Sequence, residues 1–141
     1  MKKKALNIPF SRLDTNVPVL HFQYAEQDFY GVVDSGSEVT IFGKDIESAV
    51  NLSKNDNESE QRIRLVSLSG ETVSSVAKTQ IHIVLTDKQK RKCTIPVAGI
   101  FSDLSSLPQI SDKRLSAIIG SDFLKPLSAK IDYETRLITL N

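Results

Sequence analysis

Short runs of β-branched and aromatic residues, broken every few positions by polar turns, constrain this chain more than any other feature. Gln80-Ile81-His82-Ile83-Val84-Leu85 alternates with a period of two, the period of a half-buried strand. Val17–Tyr24 and Phe29–Val33 are β-rich, with a turn expected over Ala25–Asp28. Thr40–Phe42, Ile63–Leu68, Thr72–Ala77, Cys93–Ile100 and Ser116–Gly120 read the same way. Ala129–Tyr133 and Arg136–Leu140 pair through Glu134-Thr135 as a last hairpin. Helical spacing is confined to Asp45–Leu52, where Ile46, Ala49 and Val50 fall on one face and Asp45 lies near the cap, and to Ser121–Lys125, with Ser121 as its cap. About nine short strands with so little helix predict a closed all-β domain, a β-barrel with one or two short helices.

Polar stretches separate these runs. Ser53–Gln61 holds no apolar residue and reads as a loop, the best candidate for internal disorder. Ser102–Arg114, with Pro108, is a second loop. The 141 residues suit one domain, with 1–16 as an N-terminal segment, mobile or an interface strand, and 17–141 as the domain proper.

Charge and composition exclude several classes. A net charge of +1 gives no electrostatic footprint for nucleic acid. Lys2, Lys3 and Lys4 are followed by Asn7, Pro9, Ser11, Arg12 and Asp14, so the run reads as a solvated end and not as the start of a signal peptide. No segment approaches the ~20 apolar residues of a membrane span. The one cysteine, Cys93, cannot form an internal disulfide, so a reducing, cytoplasmic compartment is expected. Cys93 reads as a half-buried strand thiol. It and the two histidines, His21 and His82, make a poor metal set, and no metal or organic cofactor is expected.

The chemistry sits at Asp34-Ser35-Gly36-Ser37, directly after the apolar strand Phe29-Tyr30-Gly31-Val32-Val33. A carboxylate delivered to a strand end lies against low-dielectric walls. Gly36 permits close approach of a ligand or another backbone, and the serine hydroxyls can donate to a carboxylate. As a bare tetrapeptide the same residues also describe an ordinary turn or helix cap. Asp122 is the other acid of interest and is expected in the first turn of the short helix, where it suits the helix dipole.

With its flanking strands, this loop resembles the catalytic loop of aspartic proteases. Ala117-Ile118-Ile119-Gly120-Ser121-Asp122-Phe123-Leu124, with the strands that follow it, looks like the C-terminal part of retropepsin-like bacterial proteases. The resemblance spans Val17 to Leu140, although 51–115 matches in pattern only. It implies an acid-protease barrel with Asp34 as the catalytic carboxylate. Ser35 would lock the two loops of a dimer together, Gly36 would allow close approach, and Ser37 would hydrogen-bond the carboxylate and favour an acidic pH optimum. Ile119 and Gly120 would back the loop. Ser69, Gly70 and Glu71 would form the tip of a flap over substrate.

One such motif per chain implies a homodimeric aspartic endopeptidase acting on a peptide or protein substrate, with water activated between two Asp34 carboxylates. The competing reading is a catalytically silent dimerisation or peptide-binding domain on the same fold.

Overall fold

The computed structural model of the chain describes residues 5–12, 17–53, 59–66, 72–107 and 114–141. The expected flap tip at Ser69, Gly70 and Glu71 lies outside them, as do 1–4, 54–58 and 108–113. Strands β3 (Pro18–Tyr24) and β4 (Gln27–Val33) form a hairpin whose loop is only Ala25-Glu26. Both loop residues are left-handed, with φ of 51° and 64°. That geometry follows the natural twist of the strands, so Gln27 and Asp28, expected in the turn, are already paired.

Strand β4 then pairs in parallel with β9 (Leu115–Ile119), placing Val33 beside Ile119. Beyond β9 come β5 (Ile41–Phe42), β8 (Lys92–Phe101) and β7 (Thr72–Thr86). β7 returns to β3 through Gln23 and Val84, which closes a six-stranded barrel. Phe22, Phe42, Ile81, Ile83, Leu85 and Ile119 fill it and are almost wholly buried. The predicted all-β closed barrel is therefore what forms. β5 shows which force dominates. It has two residues, yet burying Phe42 contributes about 1.5–3 kcal/mol, more than the ~1 kcal/mol of a single ladder hydrogen bond.

The middle of the chain departs from expectation. Thr72–Ala77 and Gln80–Leu85 belong to one continuous 15-residue strand, β7. Thr79 and Gln80 pair on both sides, with Glu60 and Ser59 of β6 (Ser59–Val66) and with Gly99 and Ala98 of β8. Lys78-Thr79 breaks the apolar pattern but not the backbone ladder, which needs only N–H and C=O groups. For the same reason Ser59, Glu60 and Gln61, expected in a loop, are strand. Among the described residues, from Lys78 back to Thr72, β7 pairs with β6 alone, so the two form an arm extending past the barrel wall.

A second, three-stranded sheet is ordered β1 (Leu6–Pro9), β11 (Leu137–Leu140), β10 (Lys130–Asp132). β1 thus pairs with the chain's own C-terminal strand, Leu6 opposite Leu140. The short β2 (Ser11–Arg12) joins β3. Asp132 accepts hydrogen bonds from the backbone N–H of Glu134 and Thr135 and so shapes the last hairpin.

Helix α1 (Lys44–Ser53) buries Ile46, Ala49 and Val50, as its spacing predicts. Asp45 in its first turn accepts the N–H of Ile46 and the hydroxyl of the buried Ser116, tying the helix start to β9. Helix α2 (Ser121–Leu124) corrects an expectation. Its N-cap is Gly120 in extended conformation, with no side-chain cap, and Ser121 is already its first residue. Among the described residues no helix is long and apolar enough to cross a membrane.

Candidate active site

The parallel β4–β9 pair ends at Val33 and Ile119, and one further hydrogen bond, Asp34 N to Ile119 O at 2.9 Å, fixes where the loop begins. The chain then turns sharply. Ser37 N donates to Asp34 O at 3.1 Å, and Gly36 N donates to Asp34 Oδ1 at 3.0 Å. A Cβ on residue 36 would stand 3.2 Å from that oxygen, so a larger residue would press on the carboxylate. Asp34, Ser35 and Gly36 are all exposed. Asp34 and Ser35 line an open cleft of about 500 Å³ with Val17, Pro18, Val32, Val33 and Tyr133. An oriented, accessible carboxylate between apolar walls is what proton transfer to or from a bound water requires.

Ser37 does something other than expected. Its hydroxyl donates to Val39 O at 2.7 Å, and the Asp34 carboxylate takes the Gly36 N–H instead. The hydroxyl closes the loop on itself, since Val39 O lies within its reach two residues on. Behind the loop, Ser121 N donates to Ser37 O at 2.7 Å. A Cβ on Gly120 would sit 2.7 Å from Ser37 O and 2.8 Å from the Val39 carbonyl carbon. Only glycine lets the β9–α2 junction touch the loop this closely. Ile119, through its carbonyl, and Gly120, through its close approach, lie against the back of the Asp34 loop.

Two residues that sequence reasoning missed complete the support. Thr40 is fully buried. Its hydroxyl donates to Asp122 Oδ1 at 2.7 Å and accepts from Gly120 N at 3.0 Å. Its N–H donates to Asp122 Oδ2 at 3.1 Å, and its carbonyl accepts from Ile100 N at 3.0 Å. Asp122 does lie in the first turn of α2, but its carboxylate is committed to Thr40 and to Lys78, whose Nζ lies 2.5 Å from Oδ2. No local signal marks Lys78, because its partner lies on a distant helix. A hydroxyl residue in the short apolar run after the motif was the only hint of Thr40.

The remaining candidates play no part here. His21 is exposed and bonds Asp28 at 2.8 Å, which, with Gln23, holds the Asp28 carboxyl below its ordinary value. His82 is half-buried opposite Ile81 and Ile83, with a buried Nδ1 that has no hydrogen-bond partner among the described residues. Cys93 is half-buried. Among the described residues, no group of His, Cys, Asp and Glu side chains is arranged to hold a metal ion.

No protein-family model matches the sequence, and no curated protein does. Solved structures do match. A retropepsin-like aspartic protease from Rickettsia conorii superposes with a TM-score of 0.50 at 14% identity, covering 100% of this chain and 96% of that one. The retroviral protease-like domain of Ddi1 from Leishmania major gives a TM-score of 0.48 at 19% identity, covering 99% and 88%. EIAV protease complexed with the inhibitor HBY-793 gives 0.46 at 15%, covering 86% and 98%. With its closed barrel and two short helices, the chain has the fold of the retropepsin-like aspartic proteases.

Proposed function

We propose that the chain is an aspartic endopeptidase whose active site forms between two copies, each supplying one Asp34. The observation that carries this reading is the Asp34 loop itself. Its backbone is pinned to Ile119, its carboxylate is oriented by Gly36 N, and that carboxylate opens onto a cleft. A loop serving only as a turn has no need of a glycine-backed clamp that leaves its acid exposed.

A two-fold axis beside the loop brings Asp34 of one protomer against Asp34 of its partner. Two carboxylates at contact distance cannot both ionise easily, so they share one proton and titrate as a unit. The ionised member takes a proton from a water held between them, and the protonated member donates a hydrogen bond to the substrate carbonyl. Water attacks the peptide carbon, the tetrahedral species collapses, and the amine leaves with a proton returned by the pair. No covalent enzyme intermediate forms. Ser35, exposed beside Asp34, supplies in this reading the hydroxyl that bonds across to the partner loop. The substrate is a peptide in extended conformation, added as a strand along the cleft.

The test compares wild type with Asp34→Asn on an unfolded protein substrate from pH 4 to 8, with and without pepstatin, beside sedimentation. The expected outcome is cleavage by a dimeric wild type, inhibited by pepstatin, and none by the variant. Equal cleavage by both, or by neither, would remove the peptidase reading. Cleavage by a monomer would remove the shared site.

A further inference from the structure

Lys78 stands at a boundary in the fold. On its C-terminal side, Thr79 to Thr86 pair with β8 as barrel wall. Among the described residues, from Lys78 back to Thr72 the strand pairs with β6 only. Lys78 is therefore the first residue of the two-stranded arm beyond the wall, the place where the arm's direction is set. A two-stranded ribbon has little stiffness of its own, and its angle to the barrel depends on what holds its root.

At that root the Lys78 ammonium lies 2.5 Å from Asp122 Oδ2. Both side chains are largely shielded, at 15% and 17% exposure. Water screens such a pair less than a surface ion pair, so it holds a geometry that an exposed pair would not. The same Oδ2 accepts the Thr40 N–H, and the other oxygen accepts the Thr40 hydroxyl. A second path runs along the ladder. Thr79 pairs with Gly99, and the next residue, Ile100, donates to the Thr40 carbonyl. A Cβ on Gly99 would lie 2.8 Å from Thr40 O, so this contact is as close as backbone allows. The arm root thus meets Thr40 from two sides, and Thr40 lies in the loop that carries Asp34.

We infer that the Lys78–Asp122 ion pair is a positioning strut, which sets the direction of the β6–β7 arm relative to the Asp34 loop. The inference deepens the peptidase reading and rests on it only where substrate is concerned. Lys78 does not touch the reacting atoms. Its substitution leaves the Asp122–Thr40 hydrogen bonds in place, so Asp34 keeps its orientation while the arm loses its reference. With the reacting carboxylate still held, a less defined arm direction costs binding more than turnover.

The experiment uses the full chain as wild type, Lys78→Met, which keeps the stem and removes the charge, and Lys78→Arg, which keeps the cation. Amide hydrogen exchange is followed by mass spectrometry and peptide cleavage by steady-state kinetics. In Lys78→Met the 72–78 amides should exchange about tenfold faster, with 81–85 unchanged. KM should rise about fivefold with kcat within about twofold, and Lys78→Arg should restore both. Unchanged exchange in 72–78, or equal acceleration in 72–78 and 81–85, overturns the strut. The first means the pair positions nothing, and the second that it only adds global stability. If wild type cleaves nothing, the peptidase reading falls and exchange alone decides the strut.

Discussion

Gly120 and Thr40, 80 residues apart in sequence, meet in a buried hydrogen bond from the Gly120 N–H to the Thr40 hydroxyl at 3.0 Å. That hydroxyl also donates to Asp122. It therefore satisfies an N–H and a carboxylate oxygen that no water replaces easily in a residue with no exposed surface.

Thr40→Val keeps the β-branched shape and deletes both hydrogen bonds. Leaving the Gly120 N–H without an acceptor costs about 1–3 kcal/mol. Urea unfolding should show stability falling by that much, as a lower midpoint with the slope unchanged. A change below ~0.5 kcal/mol, the scale of an ordinary surface substitution, would mean that water or a neighbour replaces the hydroxyl.

Gly120→Ala tests the close approach directly, and the protein carries its own control. The added methyl would lie 2.7 Å from Ser37 O, rigid backbone of the Asp34 loop. At Gly31 the nearest atoms are Ala117 Cβ and Ile119 Cγ1 at 3.3 Å, a tight contact well short of the 2.7 Å at Gly120 and made with no atom of the Asp34 loop. Both variants overpack the β4–β9 region, so each should lose about 1–3 kcal/mol of stability, with Gly120→Ala at the upper end. Peptide cleavage at a temperature where both are folded should separate them. Gly120→Ala moves the loop and should lose at least about a hundredfold in kcat, while Gly31→Ala keeps most of its activity. Equal losses would mean that Gly120 matters for packing alone.

Most of the fold and part of the site are legible in the sequence, and the division follows the range of the interactions. Alternation in Gln80–Leu85 places Ile81, Ile83 and Leu85 in the core because side-chain direction in a strand is a local property. The Asp34 loop is legible because strand, acid and glycine are consecutive. Gly120 is legible as a backing residue, but only through a resemblance that orders two motifs. The rest depends on partners brought near by the fold. Ser121 has the residue type of a cap, yet its own N–H is spent on Ser37 and the extended Gly120 occupies the cap position. The Ser37 hydroxyl, whose residue type suits the Asp34 carboxylate, takes the Val39 carbonyl two residues on. Lys78 reads as an interruption between strands until Asp122 supplies its counter-charge.

Acid stability gives the last test, at the turn that links β7 to β8. Asp87 is almost wholly buried. Burial opposes its ionisation, but the Arg91 N–H and guanidinium, with the Gln89 N–H, outweigh burial and hold the carboxyl below its ordinary value of 3.8. A carboxyl whose pKa is lower folded than unfolded contributes stability that is complete above the unfolded value. That contribution disappears as pH falls through the folded value. Asp87→Asn retains an oxygen to accept the N–H groups of Gln89 and Arg91, but it loses the charge and turns an amide NH2 toward the Arg91 Nε–H in place of the accepting oxygen. It should melt below wild type at pH 7, and the gap should narrow below about pH 3.8 as the wild-type carboxyl protonates. Thermal melts of both proteins from pH 2.5 to 7 measure this, and a gap of constant size would show that the charge contributes nothing.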